Sequence, residues 1–157
     1  MLAEQVMISD PHTAHIDELI EKVIVRMRNA RLRMLPVTDH SGVVLGVIST
    51  FSILEHIVPN YLVSGDLNQI SFAPDTGILR RQYDTYTDKQ ISEVMDPNPL
   101  LVSNDESLLS VAAAMISFGK HEYALVVDKQ KKLLGIISAG DILDQLQTLK
   151  QDDRNDA

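Results

Sequence analysis

Two kinds of apolar spacing alternate along this chain, and they do so twice. "MLPVTDHSGVVLGVISTFSILEHI" (34–57) lies without a gap over "YALVVDKQKKLLGIISAGDILDQL" (123–146). Each copy reads as an apolar strand, a four-residue polar turn beginning at Asp39 or Asp128, a second apolar strand through Gly46 or Gly135, then a helix. Gly46 and Gly135 stand 89 residues apart (135 − 46), and the two aspartates keep that offset. Helical spacing follows at Ile53, Leu54 and Ile57 in the first copy, and at Ile142, Leu143, Leu146 and Leu149 in the second.

A further helix precedes each hairpin. "IDELIEKVIVRMRN" sets Leu19, Ile20, Val23, Ile24 and Met27 on one stripe, with Glu21, Lys22, Arg26 and Arg28 toward water. "SLLSVAAAMISFG" is apolar nearly all round; Ser103 to Glu106 fits a capping box before it, and Gly119 fits a stop. "PLLVS" reads as a short strand after Pro97 and Pro99, with "VMIS" as its weaker N-terminal counterpart. Each unit is thus β-α-β-β-α. A unit of roughly 50 residues buries too little alone, so the two are expected to share a core.

The expected fold is α+β, with mixed α/β content. Repeat 1 covers 1–58, a connecting arm 59–90, repeat 2 91–150, and a disordered, polar tail 151–157. The arm is longer than an ordinary connection. It has turn formers at Gly65, Pro74 and Gly77 and a polar piece of helical character around Ile78–Thr87. It is expected to pack on its own chain or a second subunit, or to contact a partner protein.

Composition narrows the class. A hydrophobic fraction of 45% suits a globular domain, and no apolar run approaches the ~20 residues of a membrane span. The start "MLAEQVMISD" has no signal-peptide pattern, so a cytoplasmic location is expected. With no cysteine there is neither a disulfide framework nor a thiolate metal site. The net charge of −8 argues against a nucleic-acid partner, because phosphate backbones need concentrated Lys and Arg.

The duplicated "LPVTD…GVIS" and "LVVD…GIISAGDIL", with "ISEVMDPNPLLVS" leading into the second copy, resemble a tandem pair of CBS domains, a Bateman module. The resemblance covers nearly the whole chain apart from the arm and tail. It implies two pseudo-symmetric repeats packed through their sheets. It also implies a freestanding regulatory module without catalytic activity that binds an adenosine-containing ligand (AMP, ADP, ATP or S-adenosylmethionine) in clefts between the repeats. Such pairs commonly associate as homodimers through their helices and pass the bound state to a dimer mate or a regulated protein, here unknown. The family's ligand signature is satisfied by Gly135, Ile136, Ile137, Ser138 and Asp141. The resemblance gives the hydroxyl to phosphate and the carboxylate to the ribose. By analogy, base-facing walls come from Leu100, Leu101, Tyr123, Ala124 and Ile136.

Two roles compete for Ser138-x-x-Asp141. A serine N-cap with an acidic residue three positions on is a capping arrangement that needs no ligand and stabilises a helix by about 1 kcal/mol. A carboxylate at a helix entry kept open by Gly140 can also accept from two neighbouring ribose hydroxyls, with the helix dipole close by. With the resemblance, ligand binding carries more weight, and Asp141 can serve both roles. In the first copy Ser49 and Ser52 stand where Ser138 and Asp141 do, with Phe51 in place of Gly140 at the helix entry. One competent site is expected, the other being degenerate.

Phosphate handling falls to Lys120 and His121 or to Arg31 and Arg33, each also readable as surface charge, while Glu122 and the acidic total disfavour a multiply charged nucleotide. AMP is the first expectation, as a regulatory ligand and not an obligatory cofactor. His12, His15, Asp17 and Glu18 read as a solvated helix start, so no metal is expected. No catalytic motif appears. The alternative to a sensor is an oligomerisation scaffold whose nucleotide site is vestigial.

Overall fold

The elements follow the duplicated pattern, with a rearrangement at the leading edge of each repeat. The computed structural model describes residues 1–65 and 76–156. The chain opens with α1 (Ala3–Val6) and β1 (Ile8–Ser9), then β2 (Ala14–His15), α2 (Ile20–Ala30), β3 (Met34–Thr38), β4 (Val44–Ser49) and α3 (Thr50–Ile57). The connection carries α4 (Asn60–Ser64), α5 (Thr76–Thr87) and a 3-10 turn at Ile91–Glu93; Pro74 lies outside the described residues. The second half is β5 (Leu101–Ser103), α6 (Leu108–Phe118), β6 (Tyr123–Val127), β7 (Leu133–Ser138) and α7 (Ala139–Asn155). Two sheets result, ordered β1-β7-β6-β5 and β2-β3-β4.

"VMIS" is not the counterpart of "PLLVS"; that place belongs to β2, while Ile8 and Ser9 pair antiparallel with Ile136 and Gly135 of β7. The same edge in the first half is filled from the far side of the arm, where Val47 and Asp96 exchange two backbone hydrogen bonds of 2.9 and 2.8 Å. Each sheet therefore borrows its last edge from a segment that precedes the other repeat. The close approach explains the shared glycines. A Cβ on Gly135 would lie 2.8 Å from the Ile8 carbonyl oxygen, and one on Gly46 only 2.5 Å from that of Asp96.

The chain divides into two compact units: Met1–His12 with Thr38–Val44 and Asn98–Ala157, and Thr13–Val37 with Leu45–Pro97. The core of the second is built from Ile20, Val23, Met27, Leu35, Val37, Ile48, Ile53 and Ile57, closed by Ile91 and Val94. The core of the first joins Ala3, Val102, Leu108, Val111, Met115, Ala124, Val126, Ile137 and Ile142. The expected helical stripes are thus only partly buried. Leu54, Leu143, Leu146 and Leu149 face out, and on α6 Leu109 and Ile116 are 81% and 83% exposed.

Local chemistry sets the ends. In both hairpins the leading aspartate folds the turn: Asp39 Oδ1 accepts from Ser41 and Val43 N–H, and Asp128 Oδ1 from Gln130 and Lys132. Gly119 stops α6 in the left-handed conformation, as expected; Arg31 adopts the same conformation after α2, at φ 55. The N-cap of α6 is Ser107, whose hydroxyl accepts from Ser110 N–H at 3.1 Å. Ser103 and Glu106 instead close a turn ahead of the helix, because strand β5 still holds Ser103. The tail expected to be disordered continues α7 as far as Asn155, exposed throughout.

The expected histidine-rich helix start is instead strand β2 followed by a turn in which Glu18 N–H donates to the His15 carbonyl at 3.0 Å, with α2 beginning only at Ile20. Nor does Arg26 point freely to water. Its guanidinium clamps Glu18 through both oxygens, at 2.8 and 2.7 Å, and donates to the Thr13 carbonyl. Arg26, the largest influence on Glu18, holds its carboxyl below the usual range, with burial opposing. Among the described residues no helix is long and apolar enough to cross a membrane.

Candidate functional site

Ser138 ends β7 and N-caps α7, with an extended backbone at φ −96 and ψ 162. Its Oγ accepts from Asp141 N–H at 3.0 Å. Asp141 Oδ2 in turn accepts from both the backbone N–H and the hydroxyl of Ser138, each at 2.7 Å. The capping box is closed, and it uses one carboxylate oxygen. Oδ1 accepts no hydrogen bond from any described residue, on a side chain that is only partly buried. Gly140 is exposed, and a Cβ there would meet nothing closer than Ser138 Oγ at 3.5 Å, so the first turn of α7 is open on that side.

The strands bring some of the expected walls to this entry and keep others away. Tyr123 pairs directly with Ser138, and Leu125 with both Ile136 and Leu101. Paired residues share a sheet face, so Leu101, Tyr123 and Ile136 lie on the face of Ser138, all partly exposed. Ala124 falls on the opposite face by strand alternation, fully buried among Val102, Val126 and Ile137. Leu100 also packs on that core. The Leu100 carbonyl oxygen also accepts from Leu125 N–H at 2.9 Å.

The first repeat builds the same cap without a carboxylate. Ser49 Oγ accepts from Ser52 N–H, Ser52 Oγ accepts from Ser49 N–H, and the Ser52 hydroxyl donates to the Ser49 carbonyl, all at 2.9 Å. Ser52 is buried at 6% exposure, with its hydroxyl committed within the box. Phe51 does not fill the helix entry; it points outward, 67% exposed.

Of the expected phosphate contacts, Arg31, Arg33 and Lys120 are exposed, and His121 lies against Phe118 with ring centroids 5.9 Å apart. A feature missed in the sequence is how tightly Arg33 and Glu122 are tied to the helix entries. Ala139 N–H donates to the Glu122 carbonyl at 2.9 Å, and Thr50 N–H donates to that of Arg33 at 3.0 Å. The 89-residue offset already paired Arg33 with Glu122, and that register was the available signal.

Comparison with known proteins agrees with this layout. The family model for the CBS domain matches twice, over residues 3–59 and 91–148. A curated relative, the chloroplastic CBS domain-containing protein CBSX2 of Arabidopsis thaliana, is 24% identical over 148 residues, covering 89% of this chain. The chain spans 58% of that relative's length. The crystal structure of CBSX2 in complex with AMP superposes with a TM-score of 0.72 at 20% identity, over 95% of this chain and 98% of that one. The CBS domain pair of protein MJ0100, in complex with 5′-methylthioadenosine and S-adenosyl-L-methionine, gives 0.68 at 21% identity, over 94% and 97%. A duplication legible at one fixed offset, with a family match falling on each of its halves, has one explanation: the chain belongs to the CBS domain family and carries two of its domains in tandem.

Proposed function

We propose that this chain is a regulatory module that binds an adenosine-containing ligand at the entry of α7, with AMP the reference ligand, and passes the bound state to a dimer mate or a partner protein. The observation that carries this is the half-used carboxylate of Asp141. Oδ2 caps the helix while Oδ1 stays open on a partly exposed surface, beside the open backbone at Gly140. Two neighbouring ribose hydroxyls can both donate to such a group, and charged hydrogen bonds of this kind contribute about 1.5–3 kcal/mol. Tyr123, Leu101 and Ile136, on the same sheet face, supply apolar surface for the base. The solved relatives that hold AMP, or methylthioadenosine and S-adenosylmethionine, support this ligand class. The first repeat, with Ser52 buried and committed, is read as the degenerate entry.

A second reading has its own observation: the box closes without a ligand, so Asp141 serves as a cap on a scaffold module. Calorimetric titration with AMP, methylthioadenosine and S-adenosylmethionine separates the two. Asp141→Ser transplants the first repeat's box and should keep stability within about 0.5 kcal/mol. A sensor binds about one ligand per chain and loses tenfold or more in that variant, a change of about 1.4 kcal/mol. Unchanged affinity in Asp141→Ser, or no binding by the folded wild type, leaves the scaffold.

A further inference from the structure

Resting on that reading of the α7 entry, we propose that Glu122 is a specificity-determining residue. It turns the site against multiply charged nucleotides, which leaves adenosine ligands with no more than one phosphate. The hydrogen bond from Ala139 N–H to the Glu122 carbonyl fixes Glu122 beside the first turn of α7, next to Tyr123, which pairs with Ser138. The Glu122 backbone is therefore tied to the helix entry that carries Asp141, two residues beyond Ala139, and the Glu122 side chain is exposed there. A ligand whose ribose sits on Asp141 brings its 5′ substituent within about one Debye length, ~8 Å, of both.

The cations of this unit do not offset that charge. Lys129, Lys131 and Lys132 belong to the hairpin turn at the far end of β6 and β7, five residues or roughly 16 Å along the strands. Lys150 lies nine residues along α7 from Asp141, roughly 13 Å. Arg154 lies further along α7 than Lys150, and Lys120 directly follows the Gly119 cap of α6, at the negative end of that helix, which favours a cation. The first repeat shows that the scaffold does not demand an acid here. The same backbone bond, Thr50 N–H to the Arg33 carbonyl, is made by an arginine, and the acid's place three residues into the box is taken by Ser52. The sign of the charge at this position is set by the side chain alone.

The test is calorimetric titration of wild type, Glu122→Gln and Glu122→Lys with methylthioadenosine, AMP, ADP and ATP, without magnesium. Wild type should bind AMP about tenfold tighter than ATP, the size expected for two added charges facing two carboxylates across water. Methylthioadenosine should bind no weaker than AMP. Glu122→Gln should narrow the AMP-to-ATP gap several-fold and Glu122→Lys should close it, with methylthioadenosine unaffected; added salt should narrow the gap in wild type. ATP binding wild type as tightly as AMP, or a gap that Glu122→Lys leaves unchanged, overturns the proposal while the adenosine site stands. Failure of all four ligands to bind folded wild type overturns the site itself, and this proposal with it.

Discussion

One methyl group added to Gly135 and one added to Gly140 should move stability in opposite directions, although the two glycines are five residues apart. At Gly135 the new Cβ would stand 2.7 Å from Met7 Sδ and 2.8 Å from the Ile8 carbonyl oxygen. The methionine can rotate away, but the carbonyl belongs to β1, held to β7 by the Ile8–Ile136 and Ser9–Gly135 pairs. Relief requires β1 to lift. Overpacking of this kind costs about 1–3 kcal/mol, and loosening a ladder hydrogen bond adds about 1. Gly135→Ala should therefore lose about 2–4 kcal/mol. At Gly140 the new Cβ meets only Ser138 Oγ at 3.5 Å, an ordinary contact, inside the first turn of α7. Alanine is the better helix former and restricts the unfolded chain, so Gly140→Ala should gain about 0.5–1 kcal/mol.

For a chain of this size each kcal/mol moves the melting temperature by about 2–4 °C. Calorimetric melts should then place Gly135→Ala roughly 5–15 °C below wild type and Gly140→Ala about 1–4 °C above it. Gly46→Ala, which meets the Asp96 carbonyl at 2.5 Å, should repeat the loss in the other unit. A Gly135→Ala protein melting within 2 °C of wild type would refute the borrowed-edge arrangement, because β1 could not then be seated against β7.

Three further outcomes are expected. Glu18 titrates below the ordinary carboxylate value of 4.5 in the folded chain, so its stabilising contribution is complete above that value and is lost as pH falls through the lowered one. Melts of wild type and Glu18→Gln from pH 7 to pH 3 should differ by about 1 kcal/mol above pH 4.5, discounted for solvent screening at this partly exposed pair, with the margin shrinking as pH falls below that value; a margin that does not shrink refutes the pairing with Arg26. Arg31 pays for a left-handed backbone at φ 55, so Arg31→Gly should raise stability by about 0.5–1 kcal/mol in urea unfolding, and a loss would show that the arginine side chain contributes there. We further propose, from the homodimer that the family resemblance implies, that the exposed Leu109 and Ile116 of α6 are covered by a second copy; Leu109 itself lines an apolar groove of about 350 Å³ with Leu108, Ala112, Ile142 and Leu146. Sedimentation should then show a dimer at tens of micromolar that Leu109→Asp with Ile116→Asp converts to monomer, whereas a monomeric wild type removes the idea.

Much of the fold is legible in the sequence because its determinants are local. Asp39 and Asp128 announce their turns through side chains that bond two and four residues ahead, and the helix entries show in Ser49 and Ser138. What the sequence conceals is non-local. Ile8 and Ser9 carry no mark saying that their partner is a strand more than 120 residues away, and β2, two residues long, is too short to show alternation. Gly135 and Gly46 look like strand glycines, Gly135 also like a ligand-signature residue, until the carbonyls facing them are seen. The wall residues divide for a related reason. Leu100 and Ala124 are as apolar as Leu101 and Tyr123, and only the pairing register tells which face each one takes.

The register also resolves why Asp141 deserves a role beyond capping. Both repeats satisfy the same two backbone donors at their helix entries. Ser49 with Ser52 does it with two hydroxyls at 2.9 Å, and Ser138 with Asp141 does it with a hydroxyl at 3.0 Å and a carboxylate at 2.7 Å. A cap thus needs nothing that serine does not provide. The carboxylate adds a full charge, which the helix dipole favours, and a second oxygen, which the box leaves unused, and it does so where Gly140 leaves the helix entry open; in the other repeat the exposed Phe51 takes that glycine's place. Capping alone accounts for Ser52. It leaves one oxygen of Asp141 without a role, and that oxygen is the feature the proposed polyol ligand would use.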